Sequence, residues 1–405
     1  MSTINRKLVT IRTIDSIQPI AGADAIECAV IGGWTVVVKR GEFVPGDEVF
    51  YFEIDSFLPE GVPAWQFLVD KQGREFNGVR GHRLRTVRLR GQISQGFVLP
   101  LDAFPVVRDG AKADPEYDIA AALDIVKWEQ PLPAELAGQA EGLFPSFIRR
   151  TDQERCQNLV QEIFSYDEML VEFDVTGMQQ SVIDQLERNG VIKFVPTSGW
   201  VKVQRAKADR NARYEVTLKM DGSSCTVFAR AGINEVETGV CSRNLQLKVN
   251  GANADNTFVK VALQSGLLGA LEQIARNSEG NFAVQGELMG PGIQGNRENL
   301  KVHQLFIFDV QNIDKQTYMT PAQRAEFMFF LYSNGVNPYL VKHVPVLHDN
   351  VTLDELGITN AKELLAFAEG PSLAHQVREG LVFKRVDGQF SFKAISQKYL
   401  MAERD

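Results

Sequence analysis

The sequence predicts an α+β chain in which an N-terminal β-barrel precedes a larger domain of strands and helices. Residues 1 to about 105 contain short alternating runs, such as 8–11 and 34–38, separated by Gly and Pro turn signals. From residue 214 onward, apolar runs end in charged, polar or aromatic residues, with helix-like stretches between them. A chain of 405 residues has room for two or three domains. We expect a boundary near residue 115, which gives domains 1–115 and 116–405.

Composition excludes several classes of protein. The net charge of -8 argues against a protein that coats nucleic acid by bulk attraction, so any such contact requires local basic patches. The four cysteines show no metal-ligand spacing, which suits a reducing cytosol. The longest aromatic-aliphatic run, 327–332, is too short to span a bilayer. We therefore expect a soluble, cytoplasmic, monomeric protein without a membrane partner.

One basic patch lies within the predicted barrel. Five arginines interleave with apolar residues over eleven positions, and they are Arg80, Arg83, Arg85, Arg88 and Arg90. The alternation slips between Arg85 and Arg88, as a β-bulge would cause. Such a patch in an acidic protein is a candidate contact for a phosphate backbone, and a solvated barrel face explains it equally well.

The middle of the chain predicts mainly structural features. Residues 106 to about 124 are rich in polar and breaker residues, which indicates a connector. Thr151 is typical of a helix start, followed by apolar residues at helical spacing up to Phe164. Thr320-Pro321 predicts another helix start.

Lys219 is the candidate nucleophile. In the run 214–219, Tyr214, Val216 and Leu218 share one face of a predicted strand, so the lysine points away from the core. Asp221-Gly222 then forms a turn, which places Lys219 at the last ordered position before the backbone bends. Taken alone, this short pattern is explained better by an exposed lysine at a strand end before an ordinary turn.

Further strand-like runs supply compatible chemistry. Their polar or aromatic residues are Arg243, Glu287, Phe308, Glu379, Lys384 and Lys393. Cations neutralise phosphate, carboxylates hold a divalent metal or a ribose hydroxyl, and an aromatic ring stacks on a base. Converging on one cleft, these groups would suit nucleotidyl transfer. Taken singly, surface salt bridges and core packing explain each of them.

In order along the chain, these runs resemble the motifs of covalent nucleotidyltransferases. The motifs are Lys219-Met220-Asp221-Gly222, Ser242-Arg243-Asn244, Gly286-Glu287-Leu288, Phe308-Asp309, 379–384 (Glu-Gly-Leu-Val-Phe-Lys) and Phe392-Lys393. The chain is most similar to ATP-dependent RNA ligases of the bacteriophage T4 RNA ligase 2 type, in the subfamily with an N-terminal OB domain. The resemblance implies an OB-like barrel followed by an antiparallel-sheet nucleotidyltransferase (adenylation) domain.

The resemblance also implies a role for each motif residue. Lys219 would attack the α-phosphate of ATP, and the AMP would pass to a 5'-phosphate end before a 3'-hydroxyl displaces it. The nucleotide-binding residues would be Asp221, Gly222, Arg243, Glu287, Phe308, Lys384 and Lys393. Glu379 would bind Mg²⁺ or Mn²⁺. The implied substrate is RNA, or an RNA/DNA duplex with a nick whose 3'-hydroxyl side is RNA.

One departure limits the resemblance. Relatives often carry a second lysine in the last motif, where this chain has Ile395, and Lys398 is displaced from that position. DNA ligases and mRNA capping enzymes place an OB barrel after the last motif, whereas this sequence stops at Asp405, which weakens both of those interpretations. A GTP-using capping-type guanylyltransferase remains one alternative. A non-catalytic OB-containing RNA-binding protein is the other.

Overall fold

The N-terminal region consists of short strands and three helices. The computed structural model describes residues 7–114, 116–129, 138–166, 169–172, 178–188, 192–195, 199–204, 207–232 and 235–402. The first elements are β1 (Val9–Thr13), β2 (Ser16–Pro19), β3 (Ile26–Ile31), β4 (Trp34–Lys39), β5 (Glu48–Phe52), β6 (Ser56–Pro59), α1 (Gln66–Gln72), β7 (Arg74–Phe76), β8 (Val79–Arg83), β9 (Thr86–Leu89), β10 (Gln92–Gln95), β11 (Phe97–Pro100), α2 (Pro105–Ala113), α3 (Ile119–Ala122) and β12 (Val126–Lys127).

These strands form four small sheets. Their orders are β1-β5-β11, β2-β3-β4, β12-β6-β8-β7 and β10-β9. The predicted bulge between Arg85 and Arg88 is wrong, because β8 and β9 are separate strands in different sheets. The slip in alternation marks the passage from one strand to the next. Two cores lie beneath the sheets, one around Trp34 and Tyr51 and one around Phe52 and Trp65.

The predicted connector at 106–124 is also wrong. Residues 105–113 form α2, which begins with Pro105 at its first turn, a position where the missing N–H of proline is harmless. Val107 and Ala111 of this helix pack on the core around Phe52 and Trp65. The breaker residues of this stretch cap and separate short helices.

The remainder of the chain is built on two large sheets. Its elements are β13 (Ala140–Leu143), β14 (Glu154–Arg155), α4 (Val160–Phe164), β15 (Met169–Glu172), α5 (Gln180–Arg188), β16 (Ile192–Val195), β17 (Gly199–Gln204), β18 (Tyr214–Lys219), β19 (Ser223–Ala231), β20 (Val236–Cys241), β21 (Leu245–Leu247), α6 (Thr257–Gln264), α7 (Leu267–Arg276), β22 (Phe282–Met289), β23 (Gln304–Asn312), β24 (Thr317–Tyr318), α8 (Pro321–Ser333), β25 (Val341–His343), β26 (Val346–Val351), α9 (Ala361–Phe367), β27 (Gly380–Arg385), β28 (Ser391–Ile395) and α10 (Gln397–Ala402).

The first large sheet has the order β13-β21-β20-β19-β22-β23-β24, with β25 alongside β23. The second has the order β14-β28-β27-β18-β26, and a smaller sheet has the order β15-β17-β16. Met289 and Phe306 of the first sheet belong to the core of the second, so the two sheets meet there. Both large sheets are predominantly antiparallel, as predicted.

The two predicted helix starts have different outcomes. Thr320 caps α8 through a reciprocal capping box with Gln323, which confirms that start. The start at Thr151 is wrong, because Glu154–Arg155 forms a strand that pairs in parallel with β28. The α-helix begins only at Val160, after a 3₁₀ turn at Cys156–Asn158. No helix among the described residues is long and apolar enough to cross a membrane.

Candidate functional site

Lys219 lies at the end of β18, as the alternation of that strand predicts. Its Nζ donates to Glu379 Oε1 at 2.5 Å, and its side chain is 28% exposed. Glu379 reaches this position because the next residue, Gly380, pairs directly with Lys219 across β18 and β27. A Cβ on Gly380 would lie 2.3 Å from the Ala394 carbonyl oxygen, so the close strand spacing at this point requires glycine. The lysine and the carboxylate therefore meet where β18 ends and β27 begins, at one end of these two inner strands of the second sheet.

The charges around Lys219 favour its protonated form. Burial alone would lower the pKa of Lys219, but the carboxylates of Glu379 and Glu287 outweigh it and raise that pKa above its usual value. Burial raises the pKa of Glu287 to about 8, against the opposing effect of Lys219. Burial also raises the pKa of Glu379. In this arrangement Lys219 is an ammonium that is ion-paired with carboxylates. It becomes a nucleophile only when this pairing is broken and the ammonium loses a proton.

The turn after Lys219 is held against Glu287. The backbone N–H of Gly222 donates to Glu287 Oε1 at 3.2 Å. A Cβ on Gly222 would lie 2.4 Å from the Leu288 carbonyl oxygen, which explains why glycine follows Asp221. Burial raises the pKa of Asp221, and a hydrogen bond from Tyr399 opposes that rise. The turn that follows Lys219 therefore connects the two large sheets.

Lys393 is the second cation at this edge. It lies on β28 and its Nζ donates to Asp152 Oδ1 at 2.6 Å. Burial is the main cause that lowers the pKa of Lys393 to about 8, although Asp152 opposes it. The positive charges of Lys393 and Lys127 overcome burial and lower the pKa of Asp152. Asp152 is a site residue that the sequence analysis missed, since its segment was interpreted as a helix start.

Lys384 lies elsewhere, at the opposite end of the β18–β27 pairing, where its partner residue is Glu215. Its ammonium donates to the Asp309 carboxylate and to the carbonyl oxygen of Phe308. Burial lowers the pKa of Lys384 despite the nearby carboxylate. Its side chain is only 9% exposed, so a phosphate contact by Lys384 requires this ion pair to open. That predicted contact stays a prediction.

A bulge explains how Phe308 and Asp309 both serve this region. Asp309 pairs with Gln285 and Ile307 pairs with Gly286, which leaves Phe308 as an extra residue on β23. Two consecutive side chains therefore face the second sheet, where Phe308 packs on its core and Asp309 meets Lys384. Alternation read from sequence assigns neighbouring residues to opposite faces, so it could not have found this arrangement.

Arg243 lies in the loop between β20 and β21. Its side chain is 56% exposed, and its guanidinium lies 3.5 Å from Glu129 Oε1. It also contributes to lowering the pKa of Asp152, which places its charge near the Lys393 end of the site. An exposed cation at this position is available to a polyanionic ligand.

The five arginines of the N-terminal region divide into two groups. Arg83 is buried, pairs with Asp55 at 2.8 Å and lies 3.9 Å from the centre of the Trp128 ring. Arg80 is exposed and faces Glu60 at 3.5 Å. Arg88 and Arg90 are also exposed, and Arg85 is partly so. The buried, paired Arg83 supports the fold, and for the other four arginines the phosphate contact stays a prediction.

Sequence reasoning also missed a buried network beside Lys384. Arg324 of α8 is fully buried, donates to Glu215, and lies 4.0 Å from Asp309. Its Nε also donates to His343 at 2.8 Å. One signal was present, since Arg324 lies three and four residues before Phe327 and Met328, on the apolar face of its helix. A charge at a core position indicates a buried partner.

Comparison with known families and solved structures identifies proteins similar to this chain. An OB-fold domain model matches residues 8–101, and the RNA ligase family model matches residues 212–395. No curated protein sequence matches the chain. Among solved structures, a mutant of Naegleria gruberi RNA ligase with ATP and Mn is 40% identical, with a TM-score of 0.74, and the match covers 97% of this chain and 98% of that one.

Two further structures of the same Naegleria gruberi enzyme match. A mutant with AMP and Mn is 41% identical, covers 98% of each chain and has a TM-score of 0.75. The enzyme with PPi is 41% identical, covers 98% of each chain and has a TM-score of 0.74. The similarity therefore spans both the N-terminal and the C-terminal regions.

Proposed function

This chain belongs to the RNA ligase family, and we propose that it seals nicks in duplexes whose 3'-hydroxyl side is RNA. It is an ATP-dependent RNA ligase that joins 3'-hydroxyl and 5'-phosphate ends through a lysyl-adenylate and an adenylated 5' end. One observation carries the site assignment: Lys219 Nζ lies 2.5 Å from Glu379 Oε1, at the edge where the two large sheets are joined. Of the ligands in the similar structures, ATP is the substrate of lysine adenylylation, PPi is its leaving group, and AMP corresponds to the group that is transferred.

The first step requires a neutral amine at Lys219. Its nitrogen attacks the α-phosphorus of ATP, the N–P bond forms, and the P–O bond to pyrophosphate breaks. The ammonium must lose its proton first, and the carboxylates of Glu379 and Glu287 oppose that loss. The reaction therefore requires another positive charge to pair with Glu379 in place of the Lys219 ammonium.

The residues at this edge fit a divalent cation such as Mg²⁺ or Mn²⁺. Glu379 and Glu287 both affect the Lys219 charge, and their oxygens are the hard ligands that these ions prefer. No group of three or more His, Cys, Asp or Glu side chains within the described ranges could enclose a metal. A site with only the carboxylates of Glu379 and Glu287 suits Mg²⁺, which uses one or two carboxylates together with substrate phosphates. A cation on Glu379 would supply positive charge that neutralises phosphate and favours the neutral amine.

The other predicted site residues are assigned by position and chemistry. Glu287 holds the turn of Gly222 and would accept from a ribose hydroxyl. Phe308, displaced by the bulge, would stack on adenine. Lys393 lies on the strand beside β27 and would bind the α-phosphate after release from Asp152. Arg243 would contact a phosphate or the terminal nucleotide from its exposed loop.

Two further steps complete the proposed reaction. A 5'-phosphate oxygen attacks the lysyl-adenylate phosphorus, so the N–P bond breaks and Lys219 is regenerated. The 3'-hydroxyl then attacks the 5'-phosphate, a phosphodiester bond forms, and AMP leaves. The four arginines of the patch other than Arg83 would bind the phosphate backbone of the duplex without reading its sequence.

We also place the domain boundary and the cellular setting by inference. The packing of α2 and α3 on the N-terminal core, and the pairing of β12 with β6, support moving the proposed boundary from near residue 115 to a point after Lys127. The four cysteines are free and buried, which supports a reducing, cytoplasmic compartment. The monomeric state stays a prediction, which light scattering of the purified protein would test.

A nicked-duplex assay tests the proposal. Four duplexes carry RNA or DNA on the 3'-hydroxyl side and RNA or DNA on the 5'-phosphate side of one nick, with ATP and Mg²⁺ or Mn²⁺. We expect sealing of both duplexes with RNA on the 3'-hydroxyl side, and none with Lys219→Ala. Equal sealing of the duplexes with DNA on that side would overturn the specificity. Activity with GTP in place of ATP would favour the capping-type alternative.

A further inference from the structure

The C-terminal helix α10 lies against the catalytic edge. Ser396, between β28 and α10, donates its backbone N–H to the carbonyl oxygen of Glu379 at 2.9 Å. Glu369 accepts from the Ser396 hydroxyl at 2.8 Å and from the Gln397 N–H at 2.7 Å. The first turn of the helix is thereby fixed beside the residue that holds Lys219.

The other end of α10 is anchored in the N-terminal region. Leu400 packs on the core that contains Ile14, Ile54 and Val98. Leu400 and Met401 also line a cavity with Arg83, Arg85 and Arg88 of the basic patch. The helix therefore contacts both the N-terminal core and the region around Glu379.

Tyr399, between these two anchors, faces the turn after Lys219. Its side chain is hydrogen-bonded to the Asp221 carboxylate. The guanidinium of Arg297 lies 4.8 Å from the centre of the Tyr399 ring, and its Nε is 3.7 Å from Asp221 Oδ2. Arg297 is itself fixed, because it donates to the Val377 carbonyl oxygen at 3.0 Å.

Asp221 is thus held from two sides in a largely buried position. Its side chain is 18% exposed, and its conformation sets the short turn between β18 and β19. Because Lys219 is the residue that enters this turn, a fixed Asp221 limits the directions in which the lysine can move. None of the six motifs contains Tyr399 or Arg297.

We propose that Tyr399 is a positioning residue for lysine adenylylation: its hydroxyl, supported by the stacked Arg297, holds Asp221 and with it the turn that presents Lys219. This inference rests on the proposed function of Lys219. It adds a contact from the C-terminal helix to a site that the motifs describe only from the two large sheets. Since the same helix is packed on the N-terminal core, the contact also joins that domain to the first chemical step.

A double-mutant cycle tests this proposal in the full-length protein. The single-turnover rate of AMP attachment to Lys219 is measured with labelled ATP for the wild type, Tyr399→Phe, Asp221→Ala and the double variant. Loss of a hydrogen bond to a charged group predicts a decrease of about tenfold for Tyr399→Phe. In the Asp221→Ala background the same change should lower the rate by less than about twofold, because the acceptor is already absent.

A merely structural role for Tyr399 would lower the rate equally in both backgrounds, and no effect in the wild-type background would equally overturn the proposal. Tyr339→Phe, at an exposed tyrosine, is the matched control and should leave the rate unchanged. Thermal unfolding of each variant verifies that it is folded. If the wild type itself acquires no AMP, the proposed function fails first, and the positioning role fails with it.

Discussion

Two lysine–carboxylate pairs stand at opposite ends of the same pair of strands. At one end Lys219 and Glu379 are 28% and 15% exposed. At the other end Lys384 and Asp309 are 9% and 6% exposed, with Arg324 and Glu215 completing a buried network. We propose that these similar charges have different uses. The partly exposed pair would exchange its partner for a ligand, whereas the buried network links β18, β23, β27 and α8.

The largest expected effect lies at the exposed end. Lys219→Met should abolish AMP attachment, because no other group at this edge replaces the attacking nitrogen. The same change should lower the free energy of unfolding by less than Arg324→Met does, because Lys219 and Glu379 are less buried than Arg324 and Glu215. Label transfer from ATP and urea denaturation measure the two quantities. Retained labelling in this variant would contradict the assignment of Lys219.

The buried end should behave in the opposite way. Arg324→Met leaves Glu215 without its buried partner, and breaking a buried pair in this manner destabilises by about 3–5 kcal/mol. Urea denaturation of Arg324→Met beside Arg276→Met provides the measurement, since Arg276 forms an exposed pair with Glu272. We expect less than about 0.5 kcal/mol for the exposed control. Equal effects would remove the distinction between the two ends.

We expect the stability of the protein to depend on pH through the ionisation of Glu287. The pKa of Glu287 rises from 4.5 to about 8 on burial in the folded protein. Below the lower value the carboxyl group is protonated in both states, so its contribution to stability is fully present. Between the two values the unfolded state has lost the proton that the folded state keeps. The free energy of unfolding therefore falls with rising pH, by at most about 1.4 kcal/mol per unit, until about pH 8.

Glu287→Gln removes this titration. The variant should gain stability relative to the wild type as pH rises from about 5 to about 8, and the difference should level off above that. Urea denaturation at four pH values measures it, with Glu235→Gln at an exposed position as the control. A constant difference across this window would show that the folded protein does not retain the Glu287 proton.

The smallest effect, on duplex binding, is expected in the N-terminal region, where one arginine is exposed and another is buried. Arg88 is exposed, whereas Arg83 is buried against Asp55 and Trp128. Arg88→Ala should weaken duplex binding and reduce the salt dependence of log Kd by about 0.9, the value for one phosphate contact on B-form DNA. Arg83→Ala should instead lower thermal stability. Fluorescence anisotropy across a salt series measures the first, and an unchanged salt dependence would remove Arg88 from the interface.

The sequence predicted much of this architecture for identifiable reasons. Alternation in β18 placed Lys219 at the strand end, and the turn signal of Asp221-Gly222 located where the chain bends. The capping box at Thr320 was recognisable because its residues are close in sequence. The order of the motifs indicated the family. Local patterns thus sufficed wherever the determining contacts are local.

Other features depend on partners that are distant in sequence. The strand Glu154–Arg155 exists because it pairs with β28, more than 200 positions away, which overrides its helical pattern. The bulge at Phe308 reverses the facing that alternation assigns. Tyr399 and Arg297 meet Asp221 through tertiary packing alone. The separation of Lys384 from Lys219 follows from strand register, which a single sequence does not reveal.

We propose that the partly exposed ion pair with Glu379 distinguishes Lys219 from Lys384 and Lys393 as the lysine that accepts AMP. Incubation of the intact protein with ATP and Mg²⁺ or Mn²⁺, followed by proteolysis and mass spectrometry, identifies the lysine that carries AMP. A parallel reaction with GTP is the control. We predict one AMP on Lys219 from ATP and no adduct from GTP. AMP on Lys384 or Lys393, or no adduct in a folded protein, would contradict the account.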